Sequence, residues 1–156
     1  MTRASADDLG DRIQAGASLL VDTSVVLAYL TGTEAASALA DRLFDDFVAT
    51  GRNPASLSTI TVGEILVRPF RRGPAAVATA EGFLRHFGDL RVVAVDYDVA
   101  REGARIRALT NLSMPDSLIV ASARILGVDL LVTNHRSWTA ALAGAVPDVT
   151  ILQLQT

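Results

Sequence analysis

Short apolar runs that alternate with segments of helical periodicity constrain the fold of this chain most strongly. The first run, residues 19–21, has the pattern of a strand buried on both faces, although periodicity alone leaves a buried helix segment open. A helix that opens at Thr23 or Ser24 follows it. Four more runs predict strands, at residues 57–60, 91–95, 129–133 and 149–154. This alternation predicts an α/β sandwich with a mainly parallel sheet and right-handed crossover connections.

The size and composition of the chain suit one domain. Its 156 residues can bury a sizeable core without disulfides or a structural metal. We expect residues 1–156 to form a single domain in which residues 1–17 are a polar lead-in. The absence of cysteine excludes thiol catalysis, disulfides and zinc–thiolate sites. Because no apolar run approaches the roughly 20 residues that span a bilayer, and no secretory signal is visible, we expect a cytoplasmic protein without a membrane partner.

The charged residues exclude further classes of chemistry. All 14 basic residues are arginine, so mechanisms that need a lysine amine, such as Schiff-base formation or a Walker-type phosphate site, are ruled out. The net charge of −3 gives no general attraction for nucleic acid. Any binding of phosphate must therefore come from a local arginine cluster or a metal ion.

Three acids and a histidine occupy equivalent places in the predicted sheet. Asp22, Glu64 and His135 each follow a predicted strand, and Asp116 lies in the first turn of a predicted helix. The carboxyl ends of parallel strands share one edge, where such sheets bind ligands, so we expect the four side chains to face that edge.

Each of the three acids also has a purely structural explanation. Asp22 would cap the helix that follows it, and Thr61-x-x-Glu64 has the spacing of a capping box. Ser113-x-x-Asp116 is a similar arrangement. Clustered carboxylates, however, repel one another unless a cation offsets their charge, and oxygen ligands suit Mg²⁺ or Mn²⁺. Such a centre favours hydrolysis of phosphoryl esters, because the metal activates water and stabilises charge on the phosphate.

Four motifs in succession resemble those of PIN-domain proteins, and VapC-type toxins most of all. The motifs lie at residues 19–24, 61–66, 114–121 and 131–138, and the resemblance runs from about Leu19 to Leu154. It implies a parallel five-stranded sheet flanked by helices and an endoribonuclease, dependent on Mg²⁺ or Mn²⁺, that acts on single-stranded RNA. It also implies a homodimer that a VapB-like antitoxin holds inactive.

The resemblance assigns roles to individual residues. Asp22 and Asp116 would bind the metal, and Glu64 would bind the metal or orient the attacking water. Ser24 and Thr133 would form hydrogen bonds around the metal ligands.

His135 departs from the family pattern, which usually has an acid at this position. A neutral imidazole removes one negative charge and supplies a nitrogen ligand, which Mg²⁺ favours less than Mn²⁺ does. The sequence leaves open an enzyme with a shifted metal preference, a weakened enzyme or a substitution introduced into the chain. His135 would alternatively donate a proton to the leaving oxygen.

Arginines near the predicted site are candidates for contacts with RNA phosphates: Arg68, Arg71, Arg72 and Arg136. Trp138 would either stack on a base or, as is commoner after a strand, pack in the core.

Two other enzyme classes fit poorly, and one non-enzymatic class stays open. A haloacid-dehalogenase-like phosphatase would use Asp22 as its nucleophile, but Ser24 replaces its second aspartate and its lysine is missing. A response-regulator receiver fits poorly for a similar reason, because it also needs a lysine and the chain has none. A PIN fold that binds an antitoxin or RNA without cutting remains an alternative because of His135.

Overall fold

The computed structural model describes residues 8–155. Its helices are α1 (Asp8–Arg12), α2 (Thr23–Thr31), α3 (Ser37–Arg42), α4 (Thr59–Arg72), α5 (Pro74–His86), α6 (Tyr97–Leu109), α7 (Met114–Leu126) and α8 (Trp138–Leu142). A π-helical segment, Leu43–Val48, continues α3. The strands are β1 (Leu19–Val21), β2 (Ala55–Ser58), β3 (Leu90–Val93), β4 (Leu130–Thr133) and β5 (Ile151–Gln153).

The five strands form one sheet in the order β3-β2-β1-β4-β5, and every pairing is parallel. The predicted parallel α/β sheet is therefore confirmed. β1 is central, and Leu19 pairs with Ala55 on one side and Leu130 on the other. The carboxyl ends of β1 and β4 consequently lie next to each other.

Two buried clusters cover the two faces of the sheet. Leu19 and Val21 belong to one cluster, whereas Leu20 belongs to the other, as the alternation of side chains along a strand requires. The first cluster takes its helical residues from α1 to α5, and the second takes them from α6 to α8. β1 is therefore buried on both faces, which accounts for its uninterrupted apolar run.

The description of residues 1–17 as a polar lead-in is wrong for its second half; residues 1–7 lie outside the described residues. Leu9 and Ile13 are fully buried in the first cluster. Arg12 donates to the carbonyls of Leu154, at 3.1 Å, and Gln153, which ties α1 to the end of β5.

The boundary between β2 and α4 also differs from the prediction. The strand ends at Ser58, whose hydroxyl accepts a hydrogen bond from the Ile60 amide at 3.1 Å and caps α4. Thr61 therefore lies inside the helix, and the capping-box explanation of Glu64 is wrong. Pro69 does not end α4, which continues through Arg72.

Within residues 8–155, no helix is both long enough and apolar enough to cross a membrane.

Candidate metal centre

Asp22 lies at the carboxyl end of β1 and caps α2. Its carboxylate accepts a hydrogen bond from the Ser24 amide at 3.4 Å, so the capping interpretation is correct. Capping does not account for its environment, however, because Asp22 is fully buried. A buried carboxylate is costly unless other groups stabilise its charge.

Two hydroxyls stabilise one oxygen of this carboxylate and leave the other free. Ser24 Oγ and Thr133 Oγ1 donate to Asp22 Oδ2 at 2.6 and 3.0 Å. Asp22 Oδ1 is buried and has no hydrogen-bond partner among the described residues. Ser24 and Thr133 thus lie beside Asp22. The free oxygen suits a bound cation, which would compensate the buried negative charge of Asp22 without a hydrogen bond.

The electrostatic environment of the Asp22 carboxylate also favours a bound cation. Burial raises the pKa of the Asp22 carboxyl above its ordinary value, and the charge of Asp116 raises it further. The hydrogen bond from Ser24, the proximity of His135 and the hydrogen bond from Thr133 lower it. A positive charge bound here would favour the ionised carboxylate.

Asp22, Asp116 and His135 each offer one ligand atom, and these three atoms lie within 4.8 Å of one another. His135 Nε2 is 3.5 Å from Asp22 Oδ2. Asp116 is half-buried in the first turn of α7, which Ser113 caps by accepting a hydrogen bond from the Asp116 amide at 3.3 Å. The Asp116 carboxylate therefore has no part in that cap. The resulting donor set is two carboxylates and one imidazole.

Glu64 lies outside this group of three. Its exposed carboxylate accepts a hydrogen bond from Thr23 Oγ1 at 2.9 Å, and Thr23 Oγ1 is 2.8 Å from Thr61 Oγ1. These two threonines connect the first turn of α2 with α4. The structure thus brings Asp22, Asp116 and His135 together. Glu64, the fourth predicted site residue, instead contacts Thr23 of the neighbouring helix α2.

Two contacts that the sequence analysis did not identify hold the loop after β4. The Asn134 amide donates to Ser24 Oγ at 3.1 Å. Trp138 is buried and stacks on His135, with ring centroids 4.8 Å apart and planes 17° apart, so its packing interpretation is correct. Both residues lie in the motif at residues 131–138, but no sequence signal indicates these particular contacts.

The four candidate arginines are exposed. Arg68, Arg71 and Arg72 follow Glu64 along α4, and Arg136 follows His135. None of the ion pairs between residues of the described part of the chain includes them.

A parallel α/β fold with buried acid at its carboxyl edge defines the general class of this protein. The sequence profile of the PIN domain matches residues 19–141, and the chain therefore belongs to the PIN domain family. No curated protein matches the sequence significantly.

Solved structures share the fold across most of their length. A toxin–antitoxin complex from Klebsiella pneumoniae has 19% identity and a TM-score of 0.65, with 87% of this chain and 97% of that chain covered. FitAcB from Neisseria gonorrhoeae has 20% identity and a TM-score of 0.65, with 87% and 97% covered. VapC20 from Mycobacterium tuberculosis, described as a toxin that cleaves the sarcin–ricin loop, has 23% identity and a TM-score of 0.63, with 79% and 94% covered.

Proposed function

We propose that the chain is a metal-dependent endoribonuclease toxin of a VapBC-type toxin–antitoxin system, which hydrolyses RNA phosphodiester bonds. The observation that carries this proposal is the convergence of Asp116 and His135 on Asp22, whose second oxygen is buried without a partner, in a PIN-domain chain. The likeness to VapC20, a toxin described as cleaving RNA of the sarcin–ricin loop, supports the choice of substrate.

Asp22, Asp116 and His135 would hold Mg²⁺ or Mn²⁺. Two carboxylate oxygens and an imidazole nitrogen fit such an ion, and the nitrogen favours Mn²⁺ over Mg²⁺. When bound, the ion would activate water and offset charge on the phosphate. Ser24 and Thr133 fix the orientation of Asp22 through their hydrogen bonds to Oδ2.

Glu64 has a different role in this proposal. Because Thr23 holds its carboxylate outside the group of three, Glu64 orients the attacking water and accepts a proton from it. Water then attacks the phosphorus, the bond from phosphorus to the leaving oxygen breaks, and that oxygen takes a proton from solvent. Arg68, Arg71, Arg72 and Arg136 bind neighbouring phosphates, since they are exposed and outside the ion pairs of the described residues.

The proposed partners are a VapB-like antitoxin and a second copy of this chain. The fold likeness to a toxin–antitoxin complex supports the first. The homodimer follows from the family resemblance of the four motifs.

A second candidate function is a PIN fold that binds RNA or an antitoxin without cutting. The observation that favours it is His135, which supplies an imidazole nitrogen in place of a further acid beside Asp22. Weak metal binding would then leave the RNA-binding surface intact but would not support cleavage.

An RNA-cleavage assay with Mn²⁺, with Mg²⁺ and with EDTA separates the two functions. We expect cleavage of single-stranded RNA with Mn²⁺, none with EDTA, and none by Asp22→Asn with any metal. Asp41→Asn, at an exposed acid on α3, is the matched control and should cleave like the wild type. Cleavage that survives Asp22→Asn would contradict the metal-site hypothesis, and RNA binding without cleavage would favour the second candidate.

A further inference from the structure

A cavity of about 530 Å³ opens beside the candidate metal centre. Residues 109–113, from the last residue of α6 to the residue before α7, form one part of its lining, and residues that follow β4, among them Ser137 and Ala141, form another. Asp116 and His135 also line it. A ligand in this cavity therefore lies against two of the three residues that would hold the metal.

The lining indicates an uncharged ligand. Among residues 8–155, no arginine lines the cavity and Asp116 is the only carboxylate that does, and its charge would repel a phosphate. Leu109 and Leu112 contribute apolar surface, whereas Asn111 and Ser137 contribute polar groups. Asn111 is exposed, and its amide makes no hydrogen bond to another residue between 8 and 155, so its donor and acceptor are available.

The walls of the cavity are held in place. Thr110 Oγ1 donates to the Ile106 carbonyl at 2.8 Å and accepts from the Leu112 amide at 3.2 Å, which fixes the turn that carries Asn111. On the opposite side, the stacking of His135 on buried Trp138 fixes the imidazole. The site is consequently pre-formed, and its volume falls within the range of about 300–1,000 Å³ that is typical of small-ligand sites.

We propose that this cavity binds the base of the nucleotide next to the scissile phosphate, and that Asn111 selects among bases through hydrogen bonds to the base edge. This inference rests on the proposed ribonuclease function. A base has the required chemistry, since it is flat, uncharged and edged with donors and acceptors, and RNA-binding proteins read unpaired bases at such edges. With the base here, the adjoining phosphate lies toward Asp116 and His135, where the metal would be held.

The first experiment needs no cleavage and therefore tests the cavity separately from the proposed function. The whole chain, in EDTA, is titrated with adenosine, cytidine, guanosine or uridine, and with ribose as the control, while backbone amide resonances are followed by NMR. We expect the amides of residues 109–113 and 137–141 to shift with nucleosides but not with ribose. The affinities for the best and worst base should differ by about tenfold. Equal shifts with ribose, or no shifts at these residues, would overturn the proposal.

Variants then test which side chains discriminate. Asn111→Ala should reduce the preference among the four nucleosides to less than about twofold, and Leu109→Ala should weaken all four alike, since it removes apolar contact. Leu126→Ala is the matched control, because Leu126 is 42% exposed at the far end of α7 whereas Leu109 is 62% exposed at the cavity. In RNA cleavage, Asn111→Ala should broaden the distribution of cut positions. An unchanged preference among nucleosides in Asn111→Ala would contradict the role assigned to Asn111. If the chain binds nucleosides but cuts no RNA, the proposed nuclease function is wrong and the proposed base-binding cavity stands.

Discussion

The imidazole of His135 lies beside the buried carboxylate of Asp22, with Nε2 at 3.5 Å from Oδ2. Trp138 fixes the plane of the ring, and the His135 amide donates to Thr133 Oγ1 at 3.0 Å. The same Thr133 oxygen donates to Asp22. His135 is thus held at this position by two independent contacts, and its nitrogen is positioned as part of the site.

Replacement of this nitrogen ligand should change the metal preference. His135→Asp supplies an anionic oxygen, so we expect affinity for Mg²⁺ to rise by about tenfold and metal-dependent cleavage to increase. Calorimetric titrations with Mg²⁺ and Mn²⁺, together with cleavage over the same range, provide the measurement. His86→Asp is the control, since His86 is the other histidine and is exposed at the end of α5. Unchanged cleavage across both titrations would count against this role for His135.

The Thr133 hydroxyl should affect metal affinity through its hydrogen bond to Asp22 rather than through packing. Thr133→Val keeps the shape of the side chain but removes the hydrogen bond to Oδ2, so we expect Mn²⁺ affinity to fall by about 10- to 100-fold. Thr133→Ser keeps the hydroxyl and should retain most of the affinity. The comparison is made by calorimetry after both variants have been shown to unfold cooperatively. Equal losses in the two variants would assign the effect to packing.

Asp22→Asn should separate stability from metal binding. Burial and the nearby Asp116 disfavour the ionised Asp22 carboxylate, so in EDTA at neutral pH the neutral variant should melt at or above the temperature of the wild type. Mn²⁺ at 100 times its Kd should stabilise the wild type by about 2.7 kcal/mol, or about 5–10 °C, and the variant hardly at all. Thermal unfolding, monitored by circular dichroism, measures both the melting temperatures in EDTA and the shifts that Mn²⁺ causes. A similar Mn²⁺ shift in both proteins would place the ion elsewhere.

The sheet could be predicted because its strands are buried on both faces and read as short apolar runs. The error at β2 has a physical cause: Ser56 and Ser58 belong to the strand although they are polar, and both are buried there. Leu9 and Ile13 were missed for a related reason. They are buried in a cluster whose other members, from Leu19 to Leu154, lie farther along the chain. Contacts between residues this far apart in the chain leave no local pattern.

The proximity of Asp22 and His135 could be predicted from topology, but the position of the Glu64 carboxylate could not. Parallel strands bring Asp22 and His135 to one edge regardless of side-chain conformation. Glu64 comes to the same region, yet the hydroxyl of Thr23 determines where its carboxylate points. Sequence spacing contains no information about that choice.

Glu102 connects α6 with α7, the helices on either side of the segment that lines the cavity. Glu102 is 5% exposed on α6 and accepts hydrogen bonds from Arg105 Nη2 at 2.5 Å and Arg124 Nη1 at 3.0 Å. Arg124 belongs to α7 and also pairs with Asp148 at 3.1 Å. The hydrogen bond from Arg105, with the charges of both arginines, lowers the pKa of Glu102. A lowered pKa means that the ionised form stabilises the fold above the ordinary value of 4.5, and that this stabilisation is lost as the pH falls through the lower, folded-state pKa.

Glu102→Gln should therefore cost about 2 kcal/mol in the free energy of unfolding at pH 7, since it removes hydrogen bonds between charged groups. The difference from the wild type should shrink as the pH falls below 4.5. Urea unfolding at pH 7, 5 and 3 measures both effects, with Glu34→Gln, at an exposed glutamate, as the control. A cost that stays constant from pH 7 to pH 3 would show that Glu102 acts through its shape and not through its charge.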